Sequence, residues 1–300
     1  MATTVHRSVL MQEVLDGLDL SPSDVVVDAT VNGGGHAEKI TEQLSDTGVF
    51  IGIDLDSSAI EVSSARLKNT QCQVELVNDS FKNIDTILHN LELKSCDKIL
   101  FDLGWSSNQF EKAERGFSFQ LDGPLLMTLS DNPDTQVFTA YDIVNTWESE
   151  HIIDVLEGYG EEQYAWKIAQ GILKAREEKA IVSTIELANI ISESVPGRYR
   201  NGKIHPATKT FQALRIAVNN EMEVLKEGLK KSFDLLSPGG KILVISFHSI
   251  EDRIVKNYFK QLAKDGVATV ETKRPLVAGE EELSENRRSR SAKLRIIQKI

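Results

Sequence analysis

Four short apolar runs punctuate the first hundred residues, and between them apolar positions recur at helical spacing. The runs are DVVVDAT, GVFIGIDLD, CQVELVND and DKILFDLG; HAEKITEQLS and SSAIEVSSARLK lie between them. Near-continuous apolar strands alternating with helices predict a parallel sheet covered on both faces. From about residue 108 the pattern changes to helical periodicity with no convincing strand. EEQYAWKIAQGILKAREE keeps its apolar residues mostly on one side, and STIELANIIS opens with Ser183 and Glu186 in a capping-box pattern. The alternation then resumes: one long helix over 207–236, the turn and strand SPGGKILVISFH, the helix SIEDRIVKNYFKQLAK, and the β-like pieces GVATVET and SAKLRIIQKI. The acidic AGEEELSEN reads as a loop. The predicted organisation is a discontinuous α/β domain, 1–107 and 207–300, interrupted by an inserted helical domain at 108–206.

Composition adds little until its distribution is examined. The 300 residues, 41% hydrophobic and 26% charged, suit an ordinary folded protein, and no apolar run approaches a membrane span. The opening MATTVHRSVLMQEVL lacks a basic-then-apolar leader pattern, and the two cysteines, Cys72 and Cys96, have no metal-type spacing. Both features lead to the expectation of a cytoplasmic protein without a structural metal. A net charge of −11 argues against a nucleic-acid partner, yet 194–220 holds five basic residues and no acid, and 286–300 holds six and none. Phosphate contacts need only a local patch, so RNA stays open beside the alternative of two solvated faces.

The turn VVVDATVNGGGH runs from a strand through Gly33, Gly34 and Gly35 into a helix, letting a ligand approach the main chain. Its glycines are adjacent rather than spaced as G-x-G-x-x-G, which disfavours a nicotinamide dinucleotide. Asp28, Asp54 and Asp79 follow successive strands, and Asp54 lies where a carboxylate can accept bonds from ribose hydroxyls. A nucleoside ligand without pyrophosphate, S-adenosylmethionine, suits this set better than separate turn and cap roles for each acid. Asp102 ends the fourth strand in FDLGWSSNQF. Beside such a donor it can accept an N–H bond from an acceptor amine and stabilise charge developing on nitrogen; the alternative is a turn cap.

With HRSVLMQEVL, DATVNGGGH, DLGWSSNQFEKAERGFSF, DGPLLM, YGEE, HPATKTFQALRIAVNNE, SFHSIEDRIVK and NRRSRSAKLR in place, the chain resembles the bacterial small-subunit rRNA cytosine-N4 methyltransferase family (RsmH, or MraW) from end to end. The resemblance implies a class I, Rossmann-like methyltransferase sheet with an inserted helical substrate-recognition domain, S-adenosylmethionine as donor, and N4-methylcytidine in the decoding region as product. It favours the assembled subunit as substrate. Carried over by position, it implies donor-binding roles for Gly34, Gly35, His36, Asp54, Phe81, Asp102 and Gln109. Phe81 would wall the adenine, although its pattern equally suits core, and His36 equally suits a helix cap.

Trp105 stands three residues beyond Asp102, a spacing at which many amine methyltransferases stack an aromatic on the flipped base; filling a structural hole is the alternative. Arg198, Arg200, Lys203, Lys209, Arg287, Arg288 and Arg290 are candidate phosphate contacts, and His205 a candidate substrate contact. Ser246 and His248 lie at the fifth strand's end without a hydrolase elbow. Departures from the family pattern are Leu126 for aspartate, Thr128 for arginine, Ser8 and Arg287 for proline, Asn32 for glycine, Lys209 for arginine and Trp105 for a small aliphatic residue. They leave open a donor-binding assembly or RNA-binding factor without turnover, and a methyltransferase with a different acceptor.

Overall fold

A computed structural model describes residues 8–104, 113–130 and 138–300. The chain divides into two compact units, 1–106 with 222–300, and 107–221.

The first unit is built on seven strands: β1 (Val25–Asp28), β2 (Val49–Asp54), β3 (Gln73–Asn78), β4 (Cys96–Asp102), β5 (Leu236–Ser246), β6 (Ala268–Val270) and β7 (Lys293–Lys299). Their order is β3-β2-β1-β4-β5-β7-β6; β7 runs antiparallel to β5 and β6, and β1 to β5 pair in parallel. This is the methyltransferase-type sheet that the resemblance implied. Its side chains alternate between two cores. Val27, Ile51, Ile53, Phe101 and Val244 enter one; Val26, Phe50, Leu100, Leu243 and Ile245 enter the other. Both faces are thus dry, which is why the strands read as unbroken apolar runs. Strand order reverses between β1 and β4, so the crevice for a ligand opens beyond their carboxyl ends. Those ends are Asp28 and Asp102.

Helix α1 (Met11–Leu18) precedes β1, and α2 (Gly35–Thr41), α3 (Ser57–Arg66) and α4 (Ile84–Asn90) connect the early strands. The second unit carries α5 (Ala140–Thr146), α6 (Ser149–Gly160), α7 (Ala165–Glu178), α8 (Thr184–Ser194), the single turn α9 (Gly197–Arg200) and α10 (Ala207–Asn219) around its own apolar core. On α7, Ala165, Ile168, Ala169 and Ile172 are buried, the one-sided spacing expected. Ser183 caps α8 by accepting from the Glu186 N–H, but Glu186 Oε2 reaches back to the Val182 N–H, so only half of the predicted box closes. Gly116 and Gly123 are required by close backbone approach: a Cβ on either would collide with the carbonyl of Pro124 or Ala113, respectively.

Two expectations are corrected. The predicted 207–236 helix is two helices, α10 and α11 (Glu221–Leu235), broken at Asn220 with φ 49°. Asparagine tolerates the left-handed conformation that ends a helix, and Arg215 clamps Glu221 through two 2.7 Å bonds across the break. The second unit accordingly runs to 221. The acidic segment read as a loop holds a short helix, α13 (Glu280–Glu285), after α12 (Ser249–Lys264). Three glutamates in its first turn complement the positive end of its dipole, and Glu282 accepts a 2.9 Å bond from the Leu10 N–H.

Candidate active site

The glycine turn is held by the strand ends around it. Asp54 Oδ2 accepts from the Asn32 N–H at 2.8 Å and Oδ1 from the Asp56 N–H at 2.9 Å, so one carboxylate fixes both the turn and the entry to α3. Asn32 has φ 49° and Gly34 φ 73°. A left-handed residue explains why glycine is usual at the first position and why asparagine replaces it at little cost. Ser63 donates to the Asn32 carbonyl at 3.1 Å and packs against Gly34. A Cβ on Gly35 would collide with Ser8 Oγ, whereas one on Gly33 would meet nothing within 4 Å among the described residues. The turn is therefore packed behind and open in front.

Asp28 Oδ1 accepts from the Thr30 N–H at 3.1 Å, and Thr30 Oγ1 accepts from the Asp102 N–H at 2.6 Å. Thr30, which the sequence did not single out, thus ties β1 to β4 at the switch point. Asp79 serves locally: its Oδ1 accepts from the Ser80 N–H at 2.6 Å and Asn83 Nδ2 at 2.9 Å.

The three buried strand-end acids all resist ionisation. Burial raises Asp28 to about 7 against the Thr30 bond, with the Asp54 charge adding to the rise. Burial raises Asp54 to about 6, opposed by the Asp56 and Asn32 N–H bonds. Burial raises Asp102 to about 8, reinforced by the charges of Asp28 and Glu251 and opposed by Arg288. Asp102 Oδ1 is buried with no hydrogen-bond partner among the described residues. A buried acceptor without a donor costs about 1–3 kcal/mol, so the arrangement suits a ligand that brings an N–H or a positive charge.

His36 is buried, with Nε2 2.9 Å from the Val9 carbonyl and Nδ1 3.6 Å from Asp102 Oδ2. Phe81 meets Phe101 edge-on at 5.3 Å and lies against Gly228, so much of its ring is committed to the core. Trp105 and Gln109 lie outside the described residues.

A sequence profile described as the MraW methylase family matches residues 3–300. The chain belongs to that family. Curated relatives named ribosomal RNA small subunit methyltransferase H include those of Sulfurihydrogenibium sp. (strain YO3AOP1) and Persephonella marina (strain DSM 14350 / EX-H1). Each is 46% identical over 295 residues, spanning 98% of this chain and 99% of the relative. The relative from Clostridioides difficile (strain 630) is 40% identical over 310 residues, spanning 98% and 99%.

Several departures from the MraW family pattern have local explanations. Arg287 begins the 3₁₀ turn Arg287–Ser291, a first helical position where proline and other residues alike forgo an internal N–H bond. Around Leu126 and Thr128 the backbone is gripped, and the buried Thr128 hydroxyl donates to the Ser130 carbonyl at 3.3 Å. Arg115 donates to the Thr128 and Leu129 carbonyls, while Asn219 accepts from the Leu129 N–H and donates to the Met127 carbonyl. These backbone bonds do not depend on the side chains at 126 and 128. Lys209 donates to the Glu161 carbonyl at 2.7 Å, at the carboxyl end of α6.

The basic stretches divide into structural and exposed members. Arg215 pairs with Glu221, Lys293 and Arg295 with Asp252, and Lys299 binds the carbonyls of Phe233 and Leu236. In the helical unit Arg198, Arg200 and Lys203 are exposed, as are Arg287 and Arg290 in the sheet unit. Arg288 is half-buried and electrostatically coupled to Asp102. His205 stacks on Phe119 at 4.6 Å, its Nδ1 accepts from the Ala207 N–H, and burial lowers its pKa; it remains exposed at its rim. Ser246 donates to the Lys293 carbonyl and His248 caps α12 with Glu251, leaving neither arranged as a nucleophile–base pair.

Proposed function

We propose that this protein transfers a methyl group from S-adenosylmethionine to the N4 amine of a cytidine in the decoding region of small-subunit rRNA. The observation that carries the reading is the buried, unmatched Asp102 oxygen beside an open glycine turn, in a chain similar throughout to small-subunit rRNA methyltransferases.

The site fits the donor on charge and access. Asp28, Asp54 and Asp102 are three buried acids with raised pKa values, a set that favours a cationic ligand. Gly34, Gly35, His36, Asp54, Phe81, Asp102 and Gln109 would hold it, with His36 acting through its backbone or through Asp102. When bound, the donor supplies an electrophilic methyl group on a positively charged sulfur. The protein's share is to orient the acceptor amine, exclude water, and have Asp102 Oδ1 accept an amine N–H as charge develops on nitrogen. Donor affinity should rise as pH increases from about 5.5 to 7.5. A cation favours the ionised acids, and these become available as Asp54 and then Asp28 pass through about 6 and 7. Calorimetric titration across that range checks this; a flat profile contradicts the charge argument.

The helical unit serves as the substrate-recognition domain, and the assembled small subunit in the cytoplasm is the substrate. Trp105 stacks on the target base. Arg198, Arg200, Lys203, Arg287 and Arg290 hold phosphates, Arg288 lies nearer the target nucleotide through its coupling to Asp102, and His205 is a substrate contact. Lys209 contributes charge while capping α6. Five phosphate contacts, each adding roughly 0.7 to the slope of log affinity against log salt, imply about a 100-fold loss of subunit affinity between ~50 and ~200 mM salt. Incorporation of labelled methyl into unmodified small subunits, measured against salt, tests both activity and footprint. Incorporation insensitive to salt would remove the phosphate footprint.

A further inference from the structure

We propose that Thr30 is a positioning residue for Asp102: its hydroxyl supplies the last rung between β1 and β4, where the two strands part, and so fixes where the Asp102 carboxylate meets the acceptor amine. The inference rests on the proposed methyl-transfer reading of Asp102.

The ladder shows why a side chain is needed at this point. Val26, Val27 and Asp28 stand opposite Lys98, Ile99 and Leu100, and the Ala29 N–H continues the pairing by donating to the Leu100 carbonyl at 2.8 Å. The next regular parallel rung would run from the Asp102 N–H to the Ala29 carbonyl. By then the chain is turning toward β2, where the Val31 N–H donates to the Ile53 carbonyl at 2.9 Å. The Thr30 carbonyl is engaged too, accepting from Asn32 Nδ2 at 2.9 Å. The Asp102 N–H donates instead to Thr30 Oγ1 at 2.6 Å. Thr30 is a firm partner: its own N–H is held by Asp28 Oδ1 at 3.1 Å, and a β-branched side chain is stiff at χ1.

On the other side β4 is held by β5. Asp102 stands opposite Ile245, and the Leu103 N–H donates to the Ile245 carbonyl at 3.0 Å. The backbone then departs through Gly104 with φ 99°. The carboxylate itself is held only weakly. Oδ1 has no hydrogen-bond partner among the described residues, and Oδ2 stands 3.6 Å from His36 Nδ1, beyond hydrogen-bond length. The place of Oδ1 is therefore set through the Asp102 main chain, which Thr30 and β5 brace from opposite sides. Rates are sensitive to that placement, since a misplacement of about 1 Å can cost about 100-fold.

The test is a double-mutant cycle on unmodified small subunits. Thr30→Val keeps the shape of the side chain and removes the acceptor, whereas Thr30→Ser keeps the hydroxyl. Valine should lower kcat about 30-fold, while KM for subunits and donor affinity change by less than about threefold. Serine should stay within about fivefold of wild type. In an Asp102→Asn background the same Thr30→Val change should cost less than about threefold, because the carboxylate through which Thr30 acts is gone. A full loss in that background, as a general disturbance of the sheet would give, overturns the inference, and so does a serine variant as slow as valine. A second measurement needs no variant: in wild type the Asp102 amide should exchange its hydrogen as slowly as the Leu100 amide within β4, and fast exchange overturns the rung. Absence of methyl transfer by wild type would sink the methyl-transfer reading instead, while amide exchange would still decide whether Thr30 holds the end of β4.

Discussion

Asp102→Asn should lower the methyl-transfer rate by about 10²–10⁴-fold while changing donor affinity far less. The substitution keeps the shape of the side chain, the strand end and the backbone bond from the Asp102 N–H to Thr30. It removes the charge that Oδ1 offers to an amine N–H as nitrogen becomes positive. A neutral amide oxygen still accepts a hydrogen bond, so the acceptor should still bind and kcat should carry most of the loss. The residue is buried, and removing its charge relieves repulsion from Asp28 and Glu251 while losing the attraction of Arg288, so the net effect on stability should be small. Single-turnover rates with donor affinity from calorimetry separate the two effects. A variant within tenfold of wild type would return Asp102 to the role of a strand-end residue without chemistry.

Asp54→Ala should be the most damaging change to the donor side, and it acts twice. Both carboxylate oxygens are engaged, one with the Asn32 N–H of the glycine turn and one with the Asp56 N–H before α3. Leaving two buried donors unpaired costs about 1–3 kcal/mol each, so unfolding stability should fall by about 2–5 kcal/mol. The turn that it releases holds Asn32 in a left-handed conformation and presents Gly33 to open space. Donor affinity should therefore drop about 100-fold even in protein that remains folded. Asp54→Asn is the control. It retains an acceptor oxygen, so stability should recover more than affinity. Chemical denaturation and donor titration on both variants check this, and equal recovery of the two would deny the carboxylate a direct part in donor binding.

Much of the sheet unit was legible because its physics is local. Strands buried on both faces are apolar at most positions, and Val26 and Val27 enter opposite cores while remaining side by side in sequence. The glycine turn and the acids at strand ends stood out for the same reason. Other features depend on partners distant in sequence. Asn220 breaks a helix whose apolar spacing continues through it, and the Arg215–Glu221 clamp is not visible in periodicity. The AGEEELSEN segment carries no apolar stripe, so its helix could not be read from one. The basic stretches looked uniform, yet Lys293 and Arg295 serve Asp252 and Lys299 serves the carbonyls of Phe233 and Leu236. His36 shows the limit most clearly. Its surroundings depend on a carbonyl 27 residues before it and on the carboxylate at the end of β4.

The most direct measurement is nucleoside mass spectrometry on small ribosomal subunits lacking the modification, after incubation with the purified protein and S-adenosylmethionine. The account predicts new N4-methylcytidine at a single decoding-region cytidine, with Leu126 and Thr128 tolerated. No N4-methylcytidine, in a preparation shown to bind the donor, would contradict it and leave the acceptor to be found elsewhere.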